Sequence, residues 1–293
     1  MSVITPIHAP EHRYQAPTDG TFQLASAQTH SKSEASDDEL KKQIKQTVKR
    51  TDKLQRALYG EDKTAILCVF QAMDAAGKDS TIRAVTRGLN PAGFQVSSFK
   101  KPSANELEQD FLWRTARQLP QRGRIGIFNR SYYEEVLVLK VHPEWLGNQR
   151  LPDTAIDNDF WDARYQSIND HEQHLVNNGT VVLKFWLNVS KQEQANRFVD
   201  RIDNAKKHWK FSKNDIAERQ YWDSYMKAYE TGINATSTPW APWYVIPADN
   251  KPYMRLTVAQ IIEQTLTSID PSYPTITKQH KQELKKIRQQ LVD

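Results

Sequence analysis

A single cysteine, Cys68, stands in 293 residues, so no internal disulfide can form and a reducing compartment is indicated. It falls inside an apolar run, where a free thiol behaves as a small buried hydrophobe. No apolar run approaches the roughly 20 residues that span a bilayer. The opening residues, MSVITPI, lack a basic segment followed by an apolar stretch, so no secretory signal is expected. These absences predict a cytoplasmic protein with no membrane partner. Internal repeats are absent too. Neither sign of charge dominates, yet 40 Lys and Arg against 35 Asp and Glu leave a net charge of +5, which favours an anionic partner without naming one. Hydrophobic residues at 38% and charged residues at 26% describe a polar chain that can still build a core, with eight Trp, eleven Tyr and ten Phe as bulky filling.

Residues 1–35 are rich in Pro, Ser, Thr, Ala and His and read as an extended or loosely ordered arm. Ser36 and Glu39 then form a capping box ahead of Leu40, Ile44, Val48, Leu54 and Leu58 at near-helical spacing. From Thr64 onward strands alternate with helices. Strands are predicted at 64–70, 94–100, 124–128, 180–189 and 243–246, and helices at 77–88, 103–119, 155–178, from 190, 213–230, 252–268 and 275–291. Trp161, Tyr165, Ile168 and Leu175 share one helical face and are assigned to the core. Alternation of this kind implies a mostly parallel sheet of five strands covered on both faces: an α/β, three-layer domain over 36–293, with extra helices at both ends.

The run AILCVF over 65–70 continues as QAMDAAGKDS over 71–80. A buried strand, a small-residue loop and a helix start place backbone N–H groups and Lys78 around an anion. Ala75, Ala76, Gly77, Asp79 and Ser80 are the candidate phosphate-binding residues of this loop. Ala72 replaces the usual first glycine, and Asp79 the usual hydroxyl residue. Asp74 adds a second carboxylate. Two carboxylates beside a polyphosphate repel it unless a divalent cation lies between them, so the loop reads as a Mg²⁺-dependent phosphoryl-transfer site. The plainer reading is a connecting loop with a solvated lysine. Strand context and a second motif favour function.

That second motif is FNRSYYEE over 128–135, at the carboxyl end of the third strand, where ligands collect in open α/β sheets. Asn129 stands where a metal-linked acid is common. Arg130 is a planar cation suited to phosphate oxygens, and Glu134 lies four residues on. An Arg–Glu pair of purely local effect is the competing reading. A cationic run follows the fourth strand: Arg197, Arg201, Lys206, Lys207, Lys210 and Lys213 against Asp200 and Asp203. Such runs are commonly solvated faces, but this one sits at 197–213, where P-loop kinases carry a mobile lid, and lid closure excludes water from transfer.

Together these features resemble the polyphosphate kinase 2 family, and within it the class III enzymes, over residues 12–266. The residues carrying the resemblance are QAMDAAGKD at 71–79, SFK at 98–100 with Pro102 and Ser103, DFLWR at 110–114, GIFNRSYYEEV at 126–136, NGTVVLKF at 178–185, WKFS at 209–212, and ATSTP at 235–239 with APWY at 241–244. The resemblance implies a P-loop kinase-like fold with a helical lid, and transfer of the terminal phosphate of inorganic polyphosphate to AMP and ADP. It implies Mg²⁺, with Mn²⁺ as the other candidate, and adenine nucleotides, with guanine nucleotides as a second class. By the same carry-over Asp74 orients metal or acceptor phosphate, Lys78 holds the transferring phosphate, Arg130 stabilises its charge, and Glu134 helps bind metal when the acceptor is AMP. Arg197, Arg201, Lys206, Lys207 and Lys210 would hold the polyphosphate chain, and Lys100, Arg114 and Asn129 complete the substrate-binding set. A homo-oligomer is expected. The alternatives are an ATP-dependent nucleoside or nucleotide kinase on the same fold, and a nucleic-acid-binding module. The second ranks low because most aromatics fall on core positions rather than on an exposed stacking platform.

Overall fold

A computed structural model of the chain describes residues 7–31 and 33–292; for Lys210 it describes the backbone alone. The part of the N-terminal arm at 1–6 and at Lys32 lies outside the described residues. Five strands, β1 (Ala65–Gln71), β2 (Phe94–Ser98), β3 (Ile125–Asn129), β4 (Thr180–Asn188) and β5 (Trp243–Pro247), form one parallel sheet in the order β2-β3-β1-β4-β5. β1 lies at the centre, buried along its whole length, as a strand covered on both faces must be.

Helices run in sequence as α1 (Asp37–Glu61), α2 (Lys78–Thr86), α3 (Ala104–Leu107), α4 (Trp113–Ala116), α5 (Glu134–Val141), α6 (Asn158–Asn177), α7 (Lys191–Asp203), α8 (Lys213–Glu218), α9 (Trp222–Thr236), α10 (Lys251–Ile269) and α11 (Lys278–Val292). α1, α2 and α10 pack together over one face of the sheet, and α5, α6 and α9 over the other, giving the three layers expected. Between α1 and α10 a satellite cluster of Leu40, Ile44, Val48, Leu89, Tyr253 and Leu256 uses the helical stripe read from the sequence. Trp161, Tyr165, Ile168 and Leu175 are buried, as assigned.

Two expected helices are broken. The segment 103–119 is two single-turn helices, because the Asp110 carboxylate accepts the N–H groups of Leu112 and Trp113 and so restarts the chain. The segment 213–230 is α8, a 3-10 turn at Arg219–Tyr221, and then α9. There the Arg219 guanidinium reaches back to the Lys191 carbonyl and the Gln194 side chain, drawing the turn onto α7. The arm is extended and lies on the sheet edge: the Ala16 N–H donates to the Trp243 carbonyl at 2.8 Å, and the Val245 N–H to the Tyr14 carbonyl at 2.7 Å.

Ser36 caps α1 in both directions, accepting from the Glu39 N–H while Glu39 accepts from its own. Replacing Ser36 with Ala should therefore lower unfolding free energy by about 1 kcal/mol, read as an earlier urea midpoint with an unchanged slope.

Candidate active site

The loop 72–77 leaves the carboxyl end of β1 and enters α2. It turns through left-handed backbone at Ala75 (φ 61°) and Gly77 (φ 110°). A side chain at Gly77 would be strained by that angle, and its Cβ would lie 3.3 Å from the Met254 methyl. Gly77 is the N-cap of α2, so the N–H groups of the first helical turn open toward the cleft beside the loop, where an anion is favoured. Lys78 folds back across the loop and donates to the Ala72 carbonyl at 2.6 Å. Burial, with the Arg130 guanidinium nearby, pulls its pKa below the ordinary lysine range. Its ammonium is therefore short of negative charge, which an incoming phosphate would supply.

Arg130 follows β3 and also has left-handed backbone (φ 65°), held by its N–H donating to the Phe70 carbonyl at 3.1 Å. The guanidinium donates to Glu134 at 3.0 Å and reaches Asp74 at 3.4 Å. Those carboxylates, Glu134 foremost, push its pKa further up. Asp74 is thus already countered by a cation from the protein. Asp79 is engaged as well, by the Asn129 amide at 2.6 Å. The two loop carboxylates do not face the cleft as a bare repulsive pair, which weakens the argument for a metal drawn from their presence alone.

Two large pockets meet at Arg130. The first, of about 650 Å³, lies over the loop and is lined by nine cations, among them Lys78, Lys100, Lys101, Lys251 and Arg255, against three carboxylates, Asp74, Asp79 and Asp200. The second, of about 500 Å³, is lined by Leu107, Phe111, Leu139 and Trp145 as well as Glu134 and Arg114. Phe99, Lys100, Lys101 and Arg130 form the wall common to both.

Of the residues predicted for the site, Asp74, Ala75, Gly77, Lys78, Asp79, Ser80, Lys100, Asn129, Arg130, Arg197, Arg201 and Lys207 line the first pocket. Glu134 and Arg114 line the second, where Arg114 stacks on Phe99 and donates to the Lys100 carbonyl at 2.8 Å. Ala76 is fully buried and takes part through its carbonyl. Lys206 is exposed and is not among the residues lining the cleft, and the Lys210 side chain lies outside the described residues. Lys207 is paired with Asp200 at 2.5 Å, and Arg201 with Asp215 at 3.1 Å.

Arg197 lines the cleft but is heavily engaged. It is 5% exposed and spends its N–H groups inside the protein: on the carbonyls of Ala75 and Ala76 in the loop, on those of Ala248 and Asp249 after β5, and on Glu193. A guanidinium so engaged clamps the loop.

Sequence reasoning missed Lys251 and Arg255, one turn apart at the start of α10. A signal was present. For Lys251 it is that cations are disfavoured in a first helical turn, and α10 has no acid there to offset it. Arg255 Nε is buried without a hydrogen-bond partner among the described residues, a donor left over beside the cleft. The second pocket was missed because its walls come from five separate stretches of chain between Phe99 and Asn214.

A parallel sheet of this order, with a small-residue loop entering a helix after the central strand and a basic stretch after β4, defines a P-loop phosphotransferase. Residues 34–274 match the family Polyphosphate kinase 2 (PPK2), and the chain belongs to that family. It is similar to the ADP-polyphosphate phosphotransferase of Rhodopseudomonas palustris, at 53% identity over 85% of this chain and 86% of that protein. It is similar also to the AMP/ADP-polyphosphate phosphotransferase of Meiothermus ruber, at 44% identity over 77% of this chain and 80% of that one. The crystal structure of polyphosphate kinase 2 from Arthrobacter aurescens TC1 superposes with a TM-score of 0.85 at 34% identity, covering 97% of this chain and 99% of that chain.

Replacing Arg197 with Met should leave four carbonyls short of a partner and lower stability by roughly 2 kcal/mol or more. A solvated surface cation would change it by less than about 0.5 kcal/mol. Urea unfolding followed by circular dichroism separates the two.

Proposed function

We propose that the protein transfers the terminal phosphate of inorganic polyphosphate to AMP and ADP, forming ADP and ATP in a reversible reaction. The observation that carries this is the pair of pockets sharing Arg130. The cleft over the loop is built for charge along its length and has few apolar walls, which suits a donor made only of phosphates. The neighbouring pocket offers Phe111, Leu107 and Trp145, which suit a nucleoside. An ATP-dependent kinase would need its apolar slot on the donor side.

In this arrangement an acceptor phosphate oxygen attacks the terminal phosphorus of the chain, the bridging P–O bond breaks, and the polyphosphate leaves shortened by one unit. The attacking oxygen is already ionised, so no strong general base is required, and Asn129 can stand where an acid is common. Lys78 and the α2 N-terminus hold the transferring group, and Arg130 gathers charge as it develops between donor and acceptor. Arg201, Lys207, Lys251 and Arg255 hold the chain behind it. Asp74 and Glu134 are the oxygen ligands that would hold Mg²⁺. No group of three His, Cys, Asp or Glu that could hold a metal occurs among the described residues, which fits an ion bound chiefly through substrate phosphates. When bound, it neutralises charge on the phosphate oxygens.

Incubating the protein with polyphosphate, Mg²⁺ and AMP, and separating the nucleotides, tests the proposal directly: ADP and then ATP should appear, and chelation should stop them. Phosphorylation only when ATP is the donor would sink it. Lys78→Ala should reduce kcat about a hundredfold or more while the fold survives. Glu134→Asn should raise the ratio of ADP to AMP activity, because AMP brings one phosphate fewer to share the cation. An unmoved ratio would reduce Glu134 to a partner of Arg130.

A further inference from the structure

Beneath the Arg130 turn lies a buried ionic cluster whose two charged residues line neither pocket and which meets the second one only through Tyr132. Lys184, in the middle of β4, and Glu172, on α6, are both 0% exposed and paired at 2.6 Å. The lysine spends its other two N–H bonds on the Tyr133 hydroxyl at 2.9 Å and the Thr236 carbonyl at 2.6 Å. The second oxygen of Glu172 accepts both the Tyr132 and Tyr133 hydroxyls, each at 2.9 Å. Tyr133 also packs edge-on against Trp243, with ring centroids 4.6 Å apart.

Stability does not account for this cluster. Removing two charges from water costs several kcal/mol per ion, and apolar residues of similar volume are commonly at least as stabilising. Its connections are more informative. Tyr132 and Tyr133 are two of the three residues between Arg130, which lines both pockets, and Glu134, which lines the second. The other, Ser131, accepts from the Gln71 side chain and from the Tyr133 N–H. Arg130 sits in left-handed backbone that an arginine does not adopt without cost, so something must hold the turn.

We infer that Lys184 and Glu172 are positioning residues for transfer. Through the two tyrosine hydroxyls they lock the turn 130–134 so that the Arg130 guanidinium and the Glu134 carboxylate face donor and acceptor at once. This rests on the functional reading above. A displacement of about 1 Å at such a site is enough to cost a large factor in rate. The cluster spans three elements, β4, α6 and α9, so the position of the turn is set by the sheet and the helical layer behind it rather than by the substrate.

Tyr133→Phe removes one hydroxyl from the cluster and keeps the ring. With wild-type transfer established from polyphosphate to AMP, the variant should lose about tenfold in kcat, with KM for polyphosphate within about twofold. In an Arg130→Lys background the same change should cost less than about twofold, because the group being positioned has already been compromised. Equal losses in both backgrounds, or a lower melting temperature with kcat unchanged, would overturn the inference. Should Tyr133→Phe fail to fold, Tyr132→Phe, which removes a single hydrogen bond, carries the same cycle with the same criteria. A wild-type protein unable to use polyphosphate would overturn the functional reading and this role together. An active wild type with an unaffected Tyr133→Phe variant would overturn this role alone.

Discussion

Four carbonyl oxygens from two different loops converge on the guanidinium of Arg197, and the shape of the phosphate loop depends on that meeting. A loop that offers its N–H groups to a ligand cannot use them on its own carbonyls, so those carbonyls need donors from elsewhere. Arginine suits the task, having five N–H groups in a rigid plane and a charge that does not titrate in the working range. The clamp also fixes α7 against the start of α10, so the basic stretch that begins on α7 and the cations of α10 are placed by the same contact that shapes the loop.

Much of this was legible in advance. β1 and β4 are continuous apolar runs because both faces of a central parallel strand are covered, and the capping boxes mark helix starts through local chemistry alone. The loop, the Arg130 turn and the basic stretch all lie at the carboxyl ends of strands, where topology gathers them. What escaped has a common cause. The role of Arg197 depends on carbonyls 51 and about 121 positions away in the chain, and backbone acceptors leave no mark in a sequence. Lys184 reads as an interruption in an apolar strand until Glu172 and Tyr133 are seen around it. The break at Asp110 is one side chain competing with the backbone, a contest that helical periodicity does not register.

The cleft concentrates like charge at a cost the fold must carry. Burial and neighbouring cations lower the pKa of Lys78, Lys251 and Arg255 alike. Each positive group raises the energy of the next, and a polyanion relieves all of them at once. The carboxylates spaced among them, Asp74 on Arg130 and Asp200 on Lys207, hold individual cations in place and stop the array from splaying apart. Specificity for an extended phosphate chain over a single anion is a natural property of such a surface, because the relief grows with the number of cations reached.

The N-terminal arm that runs along β5 has a consequence for the open edge of the sheet. An open sheet has two edges, each a row of unpaired backbone groups able to pair with another chain. Along β5, residues 14–16 lie antiparallel to the strand and occupy part of that row. At the opposite edge β2 is only five residues long, and its Gln95 and Ser97 side chains are tied to Gln118. Runaway strand addition, which would propagate into fibres, is thus discouraged at both ends of the sheet.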